Sequence, residues 1–396
     1  VGAALWLGLP LAGRQSYRNT RNSLRHAKWG LPLQSSFAVV NAAMRKQRAE
    51  RIGLLDYHWP DTLRNWTQEG YPVDEKGNPR EPVEVFHFDL ARIAVSLDSL
   101  PLRGQSELLA ETEEWTIKRD GAGAAFKYWK HKSGTPEHID FRMTSREVWE
   151  RDYRPHLLNL DRERLNIAAA KEALAKRRQQ GFWTFYTVGF IWETLRHNLG
   201  DKCMLESLLL DPAWIHDFNR VYTDFYISHY KLLLEEVGKP DGVWVCEDLG
   251  YKNGLFCSPR TLEQLVFPYF KELVDFFHSY DLPVVLHCDG RIEAALPLIV
   301  EAGFDGLNPM EVKAGCDVVR FARKYGDKLS FVGGLDVRIL ESGNRGLMKH
   351  EIENLIEAMK DTGAGYVFGS DHSITTNVSY ADYQYALEVY RKRMIY

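Results

Sequence analysis

Little in this chain points to a membrane, a nucleic acid or an oxidising compartment. No apolar run approaches the ~20 residues that a bilayer span needs. Lys and Arg number 50 against 54 Asp and Glu, a formal net charge of −4, so no basic excess recruits nucleic acid. The five cysteines (Cys203, Cys246, Cys257, Cys288, Cys316) are an odd number without the spacing of a disulfide scaffold, which suits a reducing cytoplasm. Short-period repeats, low-complexity tracts and Pro/Ser linkers are also missing, and this favours one domain over two. What the 396 residues do hold is a hydrophobic fraction of 45%, ample for a large core.

Four apolar segments in the C-terminal half each end in residues fit for chemistry. They are Pro283-Val-Val-Leu-His287-Cys-Asp289-Gly290, Phe304-Asp-Gly-Leu-Asn308-Pro-Met-Glu311, Leu329-Ser-Phe-Val-Gly333-Gly-Leu-Asp336 and Gly365-Tyr-Val-Phe-Gly369-Ser-Asp371-His372. A helix-like stretch precedes each new segment. Strand and helix alternating in this way build a parallel sheet, and polar residues at strand C-termini are expected of a barrel with its active site on that face. Four earlier segments complete a set of eight: Ile52–His58, Val83–Asp89, Phe182–Gly189 and Gly242–Asp248. The fold expected is a single TIM-type (β/α)8 barrel over residues 51–396.

Two β-rich runs around a glycine turn between Glu113 and His138 predict a β-hairpin inserted into that barrel. Thr144-Ser-Arg-Glu147 has the order of a capping box, and Asp161–Gln180 ends in glycine as a helix does. Residues 1–50 read as an N-terminal extension, apolar to Gly13 and basic from Arg14 onward. A secretory leader wants its charge before the apolar core, so a packing extension is the expectation.

In an extended strand, residues two apart project to the same side. His287 and Asp289 can therefore reach one point while Cys288 faces away. Glu247 and Asp248 close the fourth segment with opposite orientations, so one enters the barrel mouth as acid, base or ligand and the other caps a loop. We take Glu247 as the acid or base. Glu311 is a similar candidate. Gly333 and Gly334 before Asp336 would let a cofactor or phosphate approach the backbone, or would simply make a tight strand-to-helix turn. Trp59, Trp66, Trp115, Trp129, Trp183 and Trp192 would line a flat apolar pocket or pack in the core.

The layout resembles the uroporphyrinogen decarboxylase-like superfamily over roughly Arg51 to the C-terminus. The resemblance is carried by Trp59-Pro-Asp-Thr-Leu-Arg-Asn-Trp66, Glu247-Asp-Leu-Gly with Ser258-Pro259, Leu286-His-Cys-Asp-Gly290, Asn308-Pro-Met-Glu311, Phe331-Val-Gly-Gly-Leu-Asp336 and Gly369-Ser-Asp-His-Ser-Ile374. Its methyltransferase branch moves methyl groups between corrinoid proteins and thiols, and carries His-x-Cys at a zinc site where this chain has His287 and Asp289. By that likeness His287, Asp289 and Asp371 would bind zinc or another divalent metal, with oxygen ligands favouring a harder ion and activating a thiol less. The corrinoid would ride on a separate carrier protein, because a cobalamin-docking Asp-x-His-x-x-Gly motif is absent. The small methylated substrate or thiol stays unnamed, and a homodimer is implied by the likeness alone.

The decarboxylase branch would instead use Asp89 to hold pyrrole N–H groups and His372 to bind substrate carboxylates, an electrostatic mechanism without a cofactor. Its early Arg-Gln-Ala-Gly-Arg motif is absent, and His197 stands nearest to its tyrosine after the third strand. Metal-assisted methyl transfer is accordingly the expected function. Porphyrinogen decarboxylation is the alternative, and a non-catalytic tetrapyrrole-binding protein is a third reading.

Overall fold

Eight short parallel strands organise the computed structural model, which describes residues 34–396. In chain order the strands are β1 (Gly53–Leu54), β2 (Leu90–Ile93), β3 (Ser106–Glu111), β4 (Trp115–Asp120), β5 (Ala124–Trp129), β6 (Glu137–Phe141) and β7 (Trp183–Val188). Then come β8 (Gly242–Cys246), β9 (Gly250–Tyr251), β10 (Gly254–Leu255), β11 (Val284–His287), β12 (Gly306–Asn308), β13 (Ser330–Val332) and β14 (Tyr366–Phe368). The large sheet runs β1-β14-β13-β12-β11-β8-β7-β2, every pair parallel.

Helices between the strands cover the outside, so the strands are buried on both faces and read as unbroken Val/Leu/Phe runs. The expected TIM-type (β/α)8 barrel is there. No helix of the described residues is long and apolar enough to cross a membrane.

Alternation sends Leu55, Leu90, Phe185, Trp244, Val285, Val332 and Val367 into one inner layer. The helix Ser36–Met44 seals the base beneath it. Ser35 opens that helix by accepting from the Ala38 N–H, and Val40 and Met44 then enter the inner layer. The Ser330 hydroxyl donates to the Ala43 carbonyl at 2.6 Å, fastening the helix to the start of β13. Of the expected N-terminal extension, residues 1–33 lie outside the described residues.

Two expectations need correction. Val83–Asp89 is not a strand: Pro82 sits at the first position of a short helix, Pro82–Val85, and the second barrel strand begins one residue after Asp89. The insertion is also larger than a hairpin. It is a four-stranded antiparallel sheet, β3-β4-β5-β6, with its own small core of Ala122, Ala124 and Phe126.

This insertion follows the C-terminal end of β2 and docks on the helix Trp192–Leu210. His197 of that helix bonds the Asp120 carboxylate at 2.6 Å and packs on Phe126. His197 therefore anchors the insertion. Gly200, at φ 73°, kinks the same helix where Phe141 presses in; a Cβ there would lie 2.5 Å from the ring.

Candidate functional site

The inward parity of β8 and β11 decides what reaches the mouth. Trp244 and Val285 point inward, so Cys246 and Asp248 follow on one strand and His287 and Asp289 on the next. Ligand atoms of Asp248, His287 and Asp289 lie within 4.8 Å of one another, and so do those of Asp289, Glu311 and His372. Five side chains from three strand ends and the β14 loop thus meet at the C-terminal mouth, where barrels of this kind place their chemistry.

Each is held by local backbone. The Asp289 N–H donates to Asp248 Oδ1 at 2.9 Å, which leaves Asp248 Oδ2 buried without a partner. The Gly290 N–H donates to Glu311 Oε2 at 2.7 Å. Asn308 is fully engaged: its Nδ2 donates to the Val332 carbonyl at 2.9 Å, so its Oδ1 faces His287 Nδ1 at 2.6 Å. That amide oxygen can only accept. Nδ1 therefore carries a proton, and Nε2 is turned toward Asp289 Oδ2, 3.8 Å away.

The site is rich in negative charge, answered at its edges by Arg196 beside Glu193 and Lys313 beside Glu311. Burial would lower the His287 pKa, but the carboxylates of Asp289 and Asp248 and the bond to Asn308 outweigh it and hold it above its ordinary value. Burial raises Asp289 to about 6, opposed by His287 and assisted by Asp248. Glu193, three-quarters buried at the start of its helix, is pushed to about 8 by burial and then by the Asp248 charge. Nothing in the sequence pattern singled out Glu193. Burial also raises the Cys246 thiol far above its usual range, so it stays protonated and unreactive beneath the mouth.

Several expected residues stand elsewhere. Asp89 is at the opposite end of the barrel, because β2 starts after it rather than ending at it. Its carboxylate takes both Arg51 Nη groups at 2.6 and 2.7 Å, the Ser36 hydroxyl at 2.6 Å and the Leu54 N–H at 2.9 Å. Its own N–H donates to Leu54 O at 2.9 Å, closing the seam between β1 and β2.

Glu247 has outward parity. Fully buried, it accepts from the N–H groups of Phe190 at 2.8 Å and Glu193 at 2.9 Å, so it positions the start of the helix while Asp248 takes the mouth. Asp371 is likewise a cap: its oxygens accept from Val337 N at 2.9 Å and Val312 N at 2.8 Å. The clusters that gather around Asp289 include Asp248 and Glu311, and not Asp371.

Gly333 and Gly334 are not an open cradle. Both have positive φ, and a Cβ would meet Ser370 O at 2.9 Å on the first and Val318 at 2.6 Å on the second. Asp336 caps the next helix through the Arg338 N–H at 3.0 Å and pairs with the Arg338 side chain. These three residues make a tight turn. Trp66, Trp183 and Trp192 are core.

The loop carrying His372 is pinned by Asp56, which accepts from Ser370 N at 3.1 Å, Ser370 Oγ at 3.3 Å and Tyr383 OH at 3.1 Å. Burial raises Asp56 to about 7. A carboxyl raised in the folded state contributes stability below its unfolded pKa, and that contribution is lost as pH rises through about 7. Each unit of such a shift is worth about 1.4 kcal/mol. Asp56→Asn should flatten the fall in urea midpoint between pH 5.5 and 8.5, and an unchanged pH slope would refute the assignment.

The comparisons with known proteins agree with this architecture. Residues 201–393 match the family described as "Uroporphyrinogen decarboxylase (URO-D)", a span that holds all five clustered residues. A search of curated proteins finds no match. Among solved structures, a methyltransferase from Methanosarcina mazei superposes with a TM-score of 0.61 at 14% identity, covering 90% of this chain and 98% of that one. A glycosylated endo-β-1,4-xylanase of family GH10 from Gloeophyllum trabeum covers 59% of this chain and 83% of its own at 12% identity, with a TM-score of 0.39, too low to carry any inference. Residues 201–393 are thus similar to the uroporphyrinogen decarboxylase family, and the overlay with the Methanosarcina protein is a likeness of fold, that of a (β/α)8 barrel.

Proposed function

We propose that this barrel is a metal-assisted methyltransferase that passes a methyl group between a small methylated donor or thiol and a corrinoid carried by a partner protein. One observation carries the reading: Asp248 Oδ2 is buried without a partner, in one cluster with His287 Nε2 and the Asp289 carboxylate. Buried carboxylate oxygens left unpaired are costly, and a cation is the partner that removes the cost. The residues present therefore fit a divalent metal. Their oxygen-rich character suits a harder ion better than a thiolate-rich set would.

When bound there, such an ion would act as a Lewis acid on the oxygen or sulfur of the methylated group or its acceptor. The chain's own residues do the rest. Asn308 holds the ring of His287 in one tautomer and one orientation. Glu247 fixes the first turn that presents Glu193 to the mouth. Glu193, raised to about 8 by burial although Arg196 lies 3.3 Å away, is the group that would give a proton to the heteroatom that loses its methyl group. The resemblance to the methyltransferase branch and the overlay with the Methanosarcina protein support this branch over the decarboxylase one. The Asp89 geometry also weakens the decarboxylase reading, since the carboxylate it relies on is bound to Arg51 at the sealed end.

The test is metal content and turnover of the purified full chain. Wild type should hold a divalent metal and demethylate methylcobalamin in the presence of small thiols. His287→Ala should lose most of both while keeping its fold. Full metal retention in His287→Ala, or absence of metal from wild type after growth in metal-replete medium, would overturn the reading.

A further inference from the structure

We infer that the mouth holds two cations bridged by Asp289, the second seated between Asp289, Glu311 and His372. The inference rests on the metal reading above and extends it. Two three-residue sets, each gathered within 4.8 Å, share only Asp289. A carboxylate has two oxygens, and the two of Asp289 are in different situations: Oδ2 faces His287 Nε2, while Oδ1 is buried without a partner. A bridging carboxylate needs one oxygen for each ion, as in sites where two metals lie about 3.5–4 Å apart.

His372 supplies an independent sign. Both of its ring nitrogens are buried and neither has a hydrogen-bond partner. A buried imidazole normally satisfies at least one nitrogen, so two orphans call for an explanation. His372 comes from the β14 loop, which Asp56 and Asp371 hold from two sides through backbone N–H groups. Glu311, only 4% exposed, is oriented by the Gly290 N–H on Oε2, and its Oε1 lies 3.6 Å from the partly exposed Lys313.

Charge points the same way. The two sets contain three carboxylates, Asp248, Asp289 and Glu311, and two imidazoles, which are neutral when they ligate a metal. One divalent ion leaves on these carboxylates a negative charge that only the exposed Lys313 offsets, whereas two leave a positive excess. That excess suits an anionic oxygen or sulfur on the incoming molecule.

Chelator-treated full-length protein should be titrated with Mn²⁺ by calorimetry and read by low-temperature electron paramagnetic resonance. Wild type should take up about two equivalents and show the spectrum of an exchange-coupled pair. His372→Ala and Glu311→Gln should each bind about one equivalent and lose the coupling. The glutamine keeps an acceptor for the Gly290 N–H, so it guards against a folding artefact. Asp289→Asn should weaken both ions. Saturation at one equivalent, removed by His287→Ala but untouched by His372→Ala and Glu311→Gln, would overturn the second site and leave the first standing. No uptake at all would remove both.

Discussion

Asp89→Ala is expected to destabilise the protein by about 3–5 kcal/mol, the usual result of leaving a buried charge without its partner. Arg51, 11% exposed, would keep its guanidinium in the interior with the Ile52 carbonyl at 3.2 Å and the Tyr390 hydroxyl as its remaining partners, neither of them charged. The Leu54 N–H and the Ser36 hydroxyl would lose their acceptor too, so both the barrel seam and the basal helix loosen. Because the lost partner leaves a charge behind, the double variant Asp89→Ala/Arg51→Met should recover part of the stability. Urea unfolding of the two variants measures this. Metal uptake by the folded fraction should be unaffected, since Asp89 lies at the far end. A variant with wild-type stability and no turnover would return Asp89 to the chemistry.

Asn308→Leu is expected to weaken divalent metal binding 10- to 100-fold, on the order seen when the group orienting a ligating histidine is removed. Leucine fills the space but offers His287 Nδ1 no acceptor, so the ring is free to flip and the proton to sit on either nitrogen. Asn308→Asp makes the discriminating comparison. It keeps an acceptor for Nδ1–H while losing the bond to the Val332 carbonyl, and should stay within a few-fold of wild type. A merely structural role predicts the reverse, because a second buried carboxylate would harm packing more than leucine does. Co²⁺ titration followed by its visible absorption separates the two, independently of any assay of turnover.

The later barrel strands were legible because each combines a buried apolar run with a polar end, as in Val284–His287 and Tyr366–Phe368. The His287/Asp289 pair followed from strand parity alone. Parity failed at Glu247 and Asp248 because both faces of Gly242–Cys246 are apolar, so nothing local says which is the inside. The second strand was misplaced for a related reason. Val83–Asp89 alternates like a half-buried strand, whereas the real β2 is only four residues long and carries Arg92 within it. A shift of seven residues then moved Asp89 from one end of the barrel to the other. Glu311 was seen only as a carboxylate after a strand, and Asn308 only as part of a motif. Their roles depend on pairings across β11, β12 and β13 that no local pattern contains.

The stopper formed by Ser36–Met44 has a consequence for traffic. With the base corked, the C-terminal mouth, on the side where the β3–β6 sheet leaves the end of β2, is the way in. On the proposed reading, small molecule and carrier-borne corrinoid would use the same entrance, in turn or side by side, and the product would leave by the route its precursors took. The order in which visitors arrive and depart would then set the pace of turnover.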